Sequence, residues 1–412
     1  MSMRNGSRRW RLVWASAALL TAATAWLDGQ AIVDRPGGDR PAPPARPRIA
    51  PLPEAQWTDA HRQRIAAFLA AGERPGNSFR TLLNVPELVD RTMTFHTYIT
   101  RDSSLPSRVR ELLALRTAWL HGSDVIWRER VQFARSAGMT NDDIRKIAVG
   151  AAAPDSDGFE ANLIRMADQM FRNSFVNDEV YGALAARYDT CQVMDAALTV
   201  ADVASLALLY NALGVQPDNG PPGDRMPIDV PYSVDVPSRE RQTLEAPRVA
   251  PLPGTGANNP RTFNRCPKLA AARNGSSYVN QISMLGKSGL ARHRELLILR
   301  IGWNSQSEYE WSEHVGPVGG ARKMGVPVDR VPLGPDAPGW DPFEATLLSF
   351  ADEMYRDSGV SDRTWNALKA RYDDRMMIDA TVTLANYRMV SLALNVLGVQ
   401  SNPGEEKLPT AK

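Results

Sequence analysis

ELLALRTAWL at residues 111–120 returns as ELLILRIGWN at residues 295–304, and this repeated stretch decides the predicted architecture. The ending of the repeat returns as well, since ALLYNALGVQ (207–216) matches SLALNVLGVQ (391–400). The offset is 184 residues in both cases, so the later parts of the two copies align with almost no gaps. Self-similarity at a fixed offset predicts a duplicated domain.

Each copy has the apolar spacing of helices, because apolar residues recur at three and four positions rather than at two. The longest such run, DAALTVADVASLALLYNALGV, ends close to Gly214, and glycine often caps the carboxyl end of a helix. β-Branched residues are too dispersed for a sheet. We therefore predict an all-α fold built from two tandem helical bundles.

Segments rich in proline and glycine separate these units. The predicted boundaries are 1–31 for an N-terminal apolar segment, 32–47 for a proline-rich linker, 48–216 for the first copy, 217–247 for a second linker, 248–400 for the second copy and 401–412 for a mobile tail.

The N-terminal segment is basic and then apolar, with about sixteen uncharged residues, fewer than the ~20 that a membrane-spanning helix needs. This pattern predicts a signal peptide, with an uncleaved membrane anchor as the alternative. Either interpretation places the body of the protein outside the cytoplasm, in the periplasm or secreted.

The sequence gives no support for a nucleic-acid partner or for a nucleotide cofactor. The chain has 48 basic and 46 acidic residues, which gives no electrostatic argument for a nucleic-acid partner. The sequence contains no phosphate- or dinucleotide-binding loop, and we predict no cofactor.

Cys191 and Cys266 form no Cys-x-x-Cys pair. We interpret both as buried small apolar residues, although export would permit a disulfide between them.

A polar cluster lies in SEYEWSEH of the second copy. Ser307, Glu310, Trp311 and His314 are spaced at i, i+3, i+4 and i+7, so they share one face of a helix. Glu295 lies twelve residues before Ser307 on the preceding helical segment. A break near WNSQS would let the two helices pack antiparallel and bring Glu295 toward His314.

The chemistry of these side chains suits proton transfer, since histidine changes charge near pH 6.5 and a carboxylate can orient its ring. We predict His314 as general base or acid, Glu310 and Glu295 as its partners, and Ser307 and Trp311 as substrate contacts. One histidine and two carboxylates are few ligands for a metal ion, so we predict no metal.

Each of these residues also has a structural interpretation. Glu310 and His314 at i, i+4 are often a surface pair worth about 0.2–0.5 kcal/mol. Glu295 is followed five residues later by Arg300, and an ion pair between them would explain both charges. Trp311 suits packing in a core.

The second copy contains the run RELLILR, then a small residue twelve positions after its glutamate, then x-x-Glu-Trp-x-x-His. This pattern resembles the core motif of the carboxymuconolactone decarboxylase family, also called the alkylhydroperoxidase D-like family. The resemblance covers both copies, including the RIAPLP opening of the first. It implies two tandem alkylhydroperoxidase D-like helical bundle domains and a homo-oligomer with clefts between packed helices or subunits.

In the peroxidase branch of that family, the motif Glu-x11-Cys-x-x-Cys-x3-His supplies a proton relay and a disulfide centre. Here those positions fall on Glu295, Ser307, Glu310 and His314, and both cysteines are missing. Serine cannot reduce a peroxide as a thiolate does. The resemblance instead implies cofactor-free acid–base chemistry of the decarboxylase type on a small carboxylate or lactone. The alternatives are a non-catalytic binding or assembly module and, with less support, an antioxidant activity.

The first copy lacks part of this motif, since Ile126 replaces Glu310 and Arg130 replaces His314. An arginine does not give up its proton in a protein. We therefore predict that the first copy is a structural or regulatory half, in which Arg130 pairs with Glu111 or binds an anionic substrate.

Overall fold

A computed structural model describes residues 42–409 except 71–73, 155–156, 233, 235, 237–243, 275–282, 288 and 317–318. The predicted signal peptide or anchor at 1–31 therefore lies outside the described residues. Within these ranges every regular element is helical and no strand is present. The prediction of an all-α fold is confirmed.

Two sets of helices follow one another along the chain. The first half contains α1 (Asp59–Arg64), α2 (Ala66–Ala70), α3 (Asn77–Leu82), α4 (Pro86–Thr97), α5 (Ser107–Leu120), α6 (Asp124–Ser136), α7 (Asn141–Val149), α8 (Gly158–Asn173), α9 (Asp178–Ala185) and α10 (Thr190–Leu213). The second half contains α11 (Asn258–Phe263), α12 (Pro267–Asn274), α13 (Met284–Lys287), α14 (Ala291–Asn304), α15 (Glu308–Val315), α16 (Pro342–Asp357), α17 (Asp362–Lys369) and α18 (Asp374–Leu397). A π-helical turn, Tyr98–Asp102, continues α4.

The two longest helices, α10 and α18, pack against each other and join the halves. Among the described helices, α10 alone is long and apolar enough to cross a membrane by length and composition. Its most apolar window is 94% buried inside the protein, because a helix that is apolar on all sides must be covered on all sides. Here the covering surface is protein.

The ends of these two helices are set by local sequence. The carboxylate of Asp189 accepts a hydrogen bond from the backbone N–H of Gln192 at the start of α10, and that of Asp373 accepts one from Met376 at the start of α18. At the end of α10, Gly214 adopts φ 68°, which confirms the predicted glycine cap. A Cβ at Gly214 would lie 2.7 Å from a backbone carbonyl oxygen of the segment leading into the first half.

A buried ion pair braces each half. Arg116 on α5 donates from Nε to Asp168 Oδ1 on α8 at 2.6 Å, and Arg300 on α14 donates to Asp352 Oδ1 on α16 at 2.6 Å. Each arginine also donates to two backbone carbonyls, so the guanidinium groups are compensated in the interior. The alternative that pairs Arg300 with Glu295 is therefore wrong.

A disulfide joins Cys191, at the start of α10, to Cys266, immediately before α12. The interpretation of the two residues as buried apolar thiols is wrong. The Cα atoms lie 5.6 Å apart although the residues are separated by 75 positions in sequence. The bond therefore ties the core helix of the first half to the opening of the second half.

We expect the double substitution Cys191→Ser, Cys266→Ser to lower the free energy of unfolding by about 2–4 kcal/mol, because the closed loop restricts the unfolded chain. Urea denaturation of the purified oxidised protein and of the variant measures the difference. Wild-type protein kept reduced is the control and should unfold with the variant. Equal urea midpoints for the oxidised wild type and the variant would contradict the prediction.

Candidate functional site

The predicted approach of Glu295 to His314 is confirmed. Helix α14 ends at Asn304 and α15 begins at Glu308, with Gln306 in the left-handed region (φ 52°) at the turn between them. This reversal packs α15 against α14 and places His314 Nδ1 2.7 Å from Glu295 Oε2. Both side chains are buried, with 0% of the Glu295 side chain and 7% of the His314 side chain exposed.

Charged groups continue on both sides of this hydrogen bond. Arg294 donates from Nη2 to the other oxygen of Glu295, Oε1, at 2.8 Å. On the far side of the imidazole, Nε2 lies 3.6 Å from Glu310 Oε2. A proton on His314 Nδ1 is thus held by Glu295, which leaves Nε2 as the nitrogen that faces Glu310.

The surroundings favour the protonated form of both His314 and Glu310. Burial lowers the pKa of the His314 imidazole, but the hydrogen bond to Glu295 and the charges of Glu295 and Glu310 outweigh it and raise the pKa above 6.5. Burial raises the pKa of the Glu310 carboxyl, although the charges of His314 and Arg273 act in the opposite direction. Two titratable groups whose pKa values are both raised by their surroundings are an arrangement suited to acid–base chemistry.

The chain closes over this cluster directly after His314. Helix α15 ends at Val315, whereas the corresponding α6 continues to Ser136. A Cβ at Gly319 would lie 2.5 Å from His314 Cα and 2.7 Å from Glu295 Oε2. The close approach therefore requires glycine.

The two predicted substrate contacts lie in the interior. Trp311 is 1% exposed and packs in an apolar cluster, with its ring centroid 6.0 Å from that of Trp303. Ser307 is 0% exposed, and within the described residues its hydroxyl has no hydrogen-bond partner. Trp311 packs as a core residue in this structure, and the roles of Trp311 and Ser307 in substrate binding stay predictions.

In the first half, Arg130 occupies the position that His314 has in the second. Its Nη1 lies 3.4 Å from Glu111 Oε1, which agrees with the predicted pairing of these two residues. Burial raises the pKa of Glu111, while the charge of Arg130 acts to lower it. The guanidinium also lies over the ring of Phe133, with Cζ 4.4 Å from the ring centroid.

A cleft that the sequence did not reveal opens beside Arg130. Its volume is about 740 Å³, and its lining includes Glu129, His96, Ser78 and Tyr210. His96 lies on α4, far along the chain from the motif, and no spacing rule connects it to Asp202, its hydrogen-bond partner on α10. Motif spacing therefore gives no signal for His96.

Comparison with known families agrees with part of the resemblance. The model of the carboxymuconolactone decarboxylase family matches residues 86–169, about a fifth of the chain. This segment, which contains α4 to α7 and most of α8, is similar to that family. The match lies in the first half, where arginine stands in place of the motif histidine. No curated protein matches the chain.

Proposed function

We propose that the protein is a carboxymuconolactone decarboxylase-like enzyme that performs cofactor-free acid–base chemistry on a small carboxylate or lactone, with His314 as the proton-transfer group. The observation that carries the proposal is the buried contact of 2.7 Å between His314 Nδ1 and Glu295, with Glu310 at 3.6 Å from Nε2. The family match at residues 86–169 supports the class of protein.

The roles of the residues follow from their contacts. Glu295, itself held by Arg294, orients the imidazole and balances its charge, while Nε2 exchanges a proton with the substrate. In a decarboxylation, the carbon–carbon bond breaks, CO₂ leaves, and the electron pair left on carbon takes the proton that His314 donates. Glu310 lies 3.6 Å from Nε2, so it borders the nitrogen that exchanges the proton.

The tandem arrangement, export and homo-oligomeric assembly belong to the same proposal. The constant offset of 184 residues and the matching ion pairs of Arg116 and Arg300 support two copies of one unit. The apolar N-terminal segment supports export, and a disulfide between Cys191 and Cys266 suits an oxidising compartment. The family resemblance supports assembly into oligomers.

A binding or assembly module is the second candidate. The burial of the cluster favours it, since His314 is 6% and Glu310 5% exposed. Antioxidant activity has less support, because the chain lacks a Cys-x-x-Cys and its two cysteines are already joined across the halves.

The first experiment is an NMR titration of His314 in the full chain, with and without a panel of small lactones and keto acids. The chain has five histidines, so the signal missing in His314→Gln assigns the residue. We expect a pKa above 6.5 that moves when one ligand binds, while His293, in the same half, keeps its own titration. An ordinary titration that no ligand changes would contradict the proposal and favour the binding module.

A further inference from the structure

The cleft of the first half has the size of a small-molecule site. Its volume of about 740 Å³ falls within the range of ligand pockets, and four of its polar side chains, His96, Glu129, Arg130 and Tyr210, come from three different helices. None of these residues belongs to the cluster around His314. The cleft therefore needs an explanation of its own.

A histidine held by a buried aspartate forms part of the cleft. His96 Nδ1 lies 2.7 Å from Asp202 Oδ2, and the Asp202 side chain is 6% exposed while that of His96 is 19% exposed. An aspartate that accepts the Nδ1 proton fixes the tautomer and leaves Nε2 as the basic nitrogen. His96 therefore has the orientation partner that a general base requires.

A carboxyl with a preference for its proton accompanies this histidine. Ser78 donates from Oγ to Glu129 Oε1 at 2.7 Å, which leaves the second oxygen of Glu129 for another partner. Burial raises the pKa of Glu129, while the hydrogen bond from Ser78 and the charges of Arg130 and His96 act against that shift. His96, Glu129 and Tyr210 all line the same cleft, so the base and the carboxyl border one cavity.

A cation completes the set. Arg130 lines the cleft beside Glu129, and its ion pair with Glu111 is made through Nη1, at 3.4 Å. Guanidinium groups bind carboxylates through several donors at once. The cleft thus combines a carboxylate-binding cation, a base and an acid.

We propose that this cleft is a second acid–base site, which takes a small 2-keto acid and forms its enol. Arg130 binds the substrate carboxylate, and His96 Nε2 removes a proton from the carbon next to the carbonyl. The electron pair of that C–H bond forms the C=C bond, and the carbonyl oxygen takes the proton of Glu129. Reversal returns both protons and exchanges the carbon-bound hydrogen with solvent.

The second half does not repeat this set of residues. At the offset of 184, Asn386 stands in place of Asp202 and Leu394 in place of Tyr210. The counterpart of Glu129 is Glu313, which accepts a hydrogen bond from Asn402 at 2.6 Å. Under this proposal the two halves use different proton-transfer groups, and the first half is more than a structural or regulatory unit.

The test is hydrogen–deuterium exchange in D₂O, followed by the loss of ¹H NMR signal from pyruvate and from 2-oxoglutarate in the presence of the full chain. We expect exchange faster than in buffer, and a decrease of about 10²–10⁴-fold in His96→Gln. His293→Gln is the matched control, since His293 is a partly buried histidine that bonds Tyr372 Oη at 2.8 Å and should leave the exchange rate unchanged.

Two further variants keep the test decisive if His96→Gln fails to fold. Glu129→Gln should slow exchange without the loss of a histidine, and Arg130→Met should raise the KM for 2-oxoglutarate more than it lowers kcat. Exchange no faster than in buffer for both keto acids would overturn the proposal. So would a folded His96→Gln, or a folded Glu129→Gln, that exchanges at the wild-type rate.

Discussion

Under the proposed acid–base function, the substitution His314→Gln is expected to lower kcat on the lactone or carboxylate substrate by about 10²–10⁴-fold, because glutamine cannot exchange a proton. Glutamine keeps a polar group near Glu295, so the substitution tests proton transfer more than packing. Release of CO₂ or ring opening, measured under saturating substrate, gives the rate. Glu308→Gln, on the same helix, is the control and should keep the wild-type rate.

The pH profile separates a chemical role of Glu295 from a structural one. Because Glu295 raises the pKa of His314, the ionisation of the imidazole should give a limb above pH 6.5. Glu295→Gln removes the charge that opposes burial, so this limb should move to lower pH. If this limb of the pH–rate profile stays in place in Glu295→Gln, Glu295 does not act on the titrating group. If His314→Gln keeps the wild-type rate, His314 is not the proton-transfer group.

The sequence predicted what local patterns determine. The i, i+3, i+4 and i+7 spacing placed Glu310, Trp311 and His314 on one helix face, and the break before Ser307 predicted the reversal that brings Glu295 to His314. Spacing along one helix does not say what that face packs against. The structure shows that the face points into the protein, where Trp311 contacts Trp303.

Local sequence patterns could not predict which residues pair when they are far apart in the chain. Cys191 and Cys266 are 75 positions apart, and His96 and Asp202 are 106 apart. Such pairs form only when helices pack in a particular order, which the apolar periodicity of each helix leaves open. The family resemblance indicated only the motif positions. His96 lies on a different helix, and its pairing with Asp202 depends on how the helices pack.

A large loss of stability is expected when Asp352, which holds the end of α14, is replaced. Asp352 accepts hydrogen bonds from Arg300 at 2.6 and 2.9 Å and from Asn304 Nδ2, at the end of α14, at 2.7 Å. Asp352→Asn leaves a buried guanidinium without its counter-charge, and we expect a loss of about 3–5 kcal/mol in the free energy of unfolding. Urea denaturation measures the loss.

Asp357→Asn is the control, because Asp357 forms an ion pair with Arg356 at the surface and should change stability by less than about 1 kcal/mol. Equal losses in the two variants would contradict a structural role for the buried pair. Asn304 is the last residue of α14 before the turn into α15, so loosening its bond to Asp352 should also disturb the distance between Glu295 and His314. A sample of Asp352→Asn that remains folded should therefore lose part of the raised pKa of His314, which links the stability of the ion pair to the chemistry of the site.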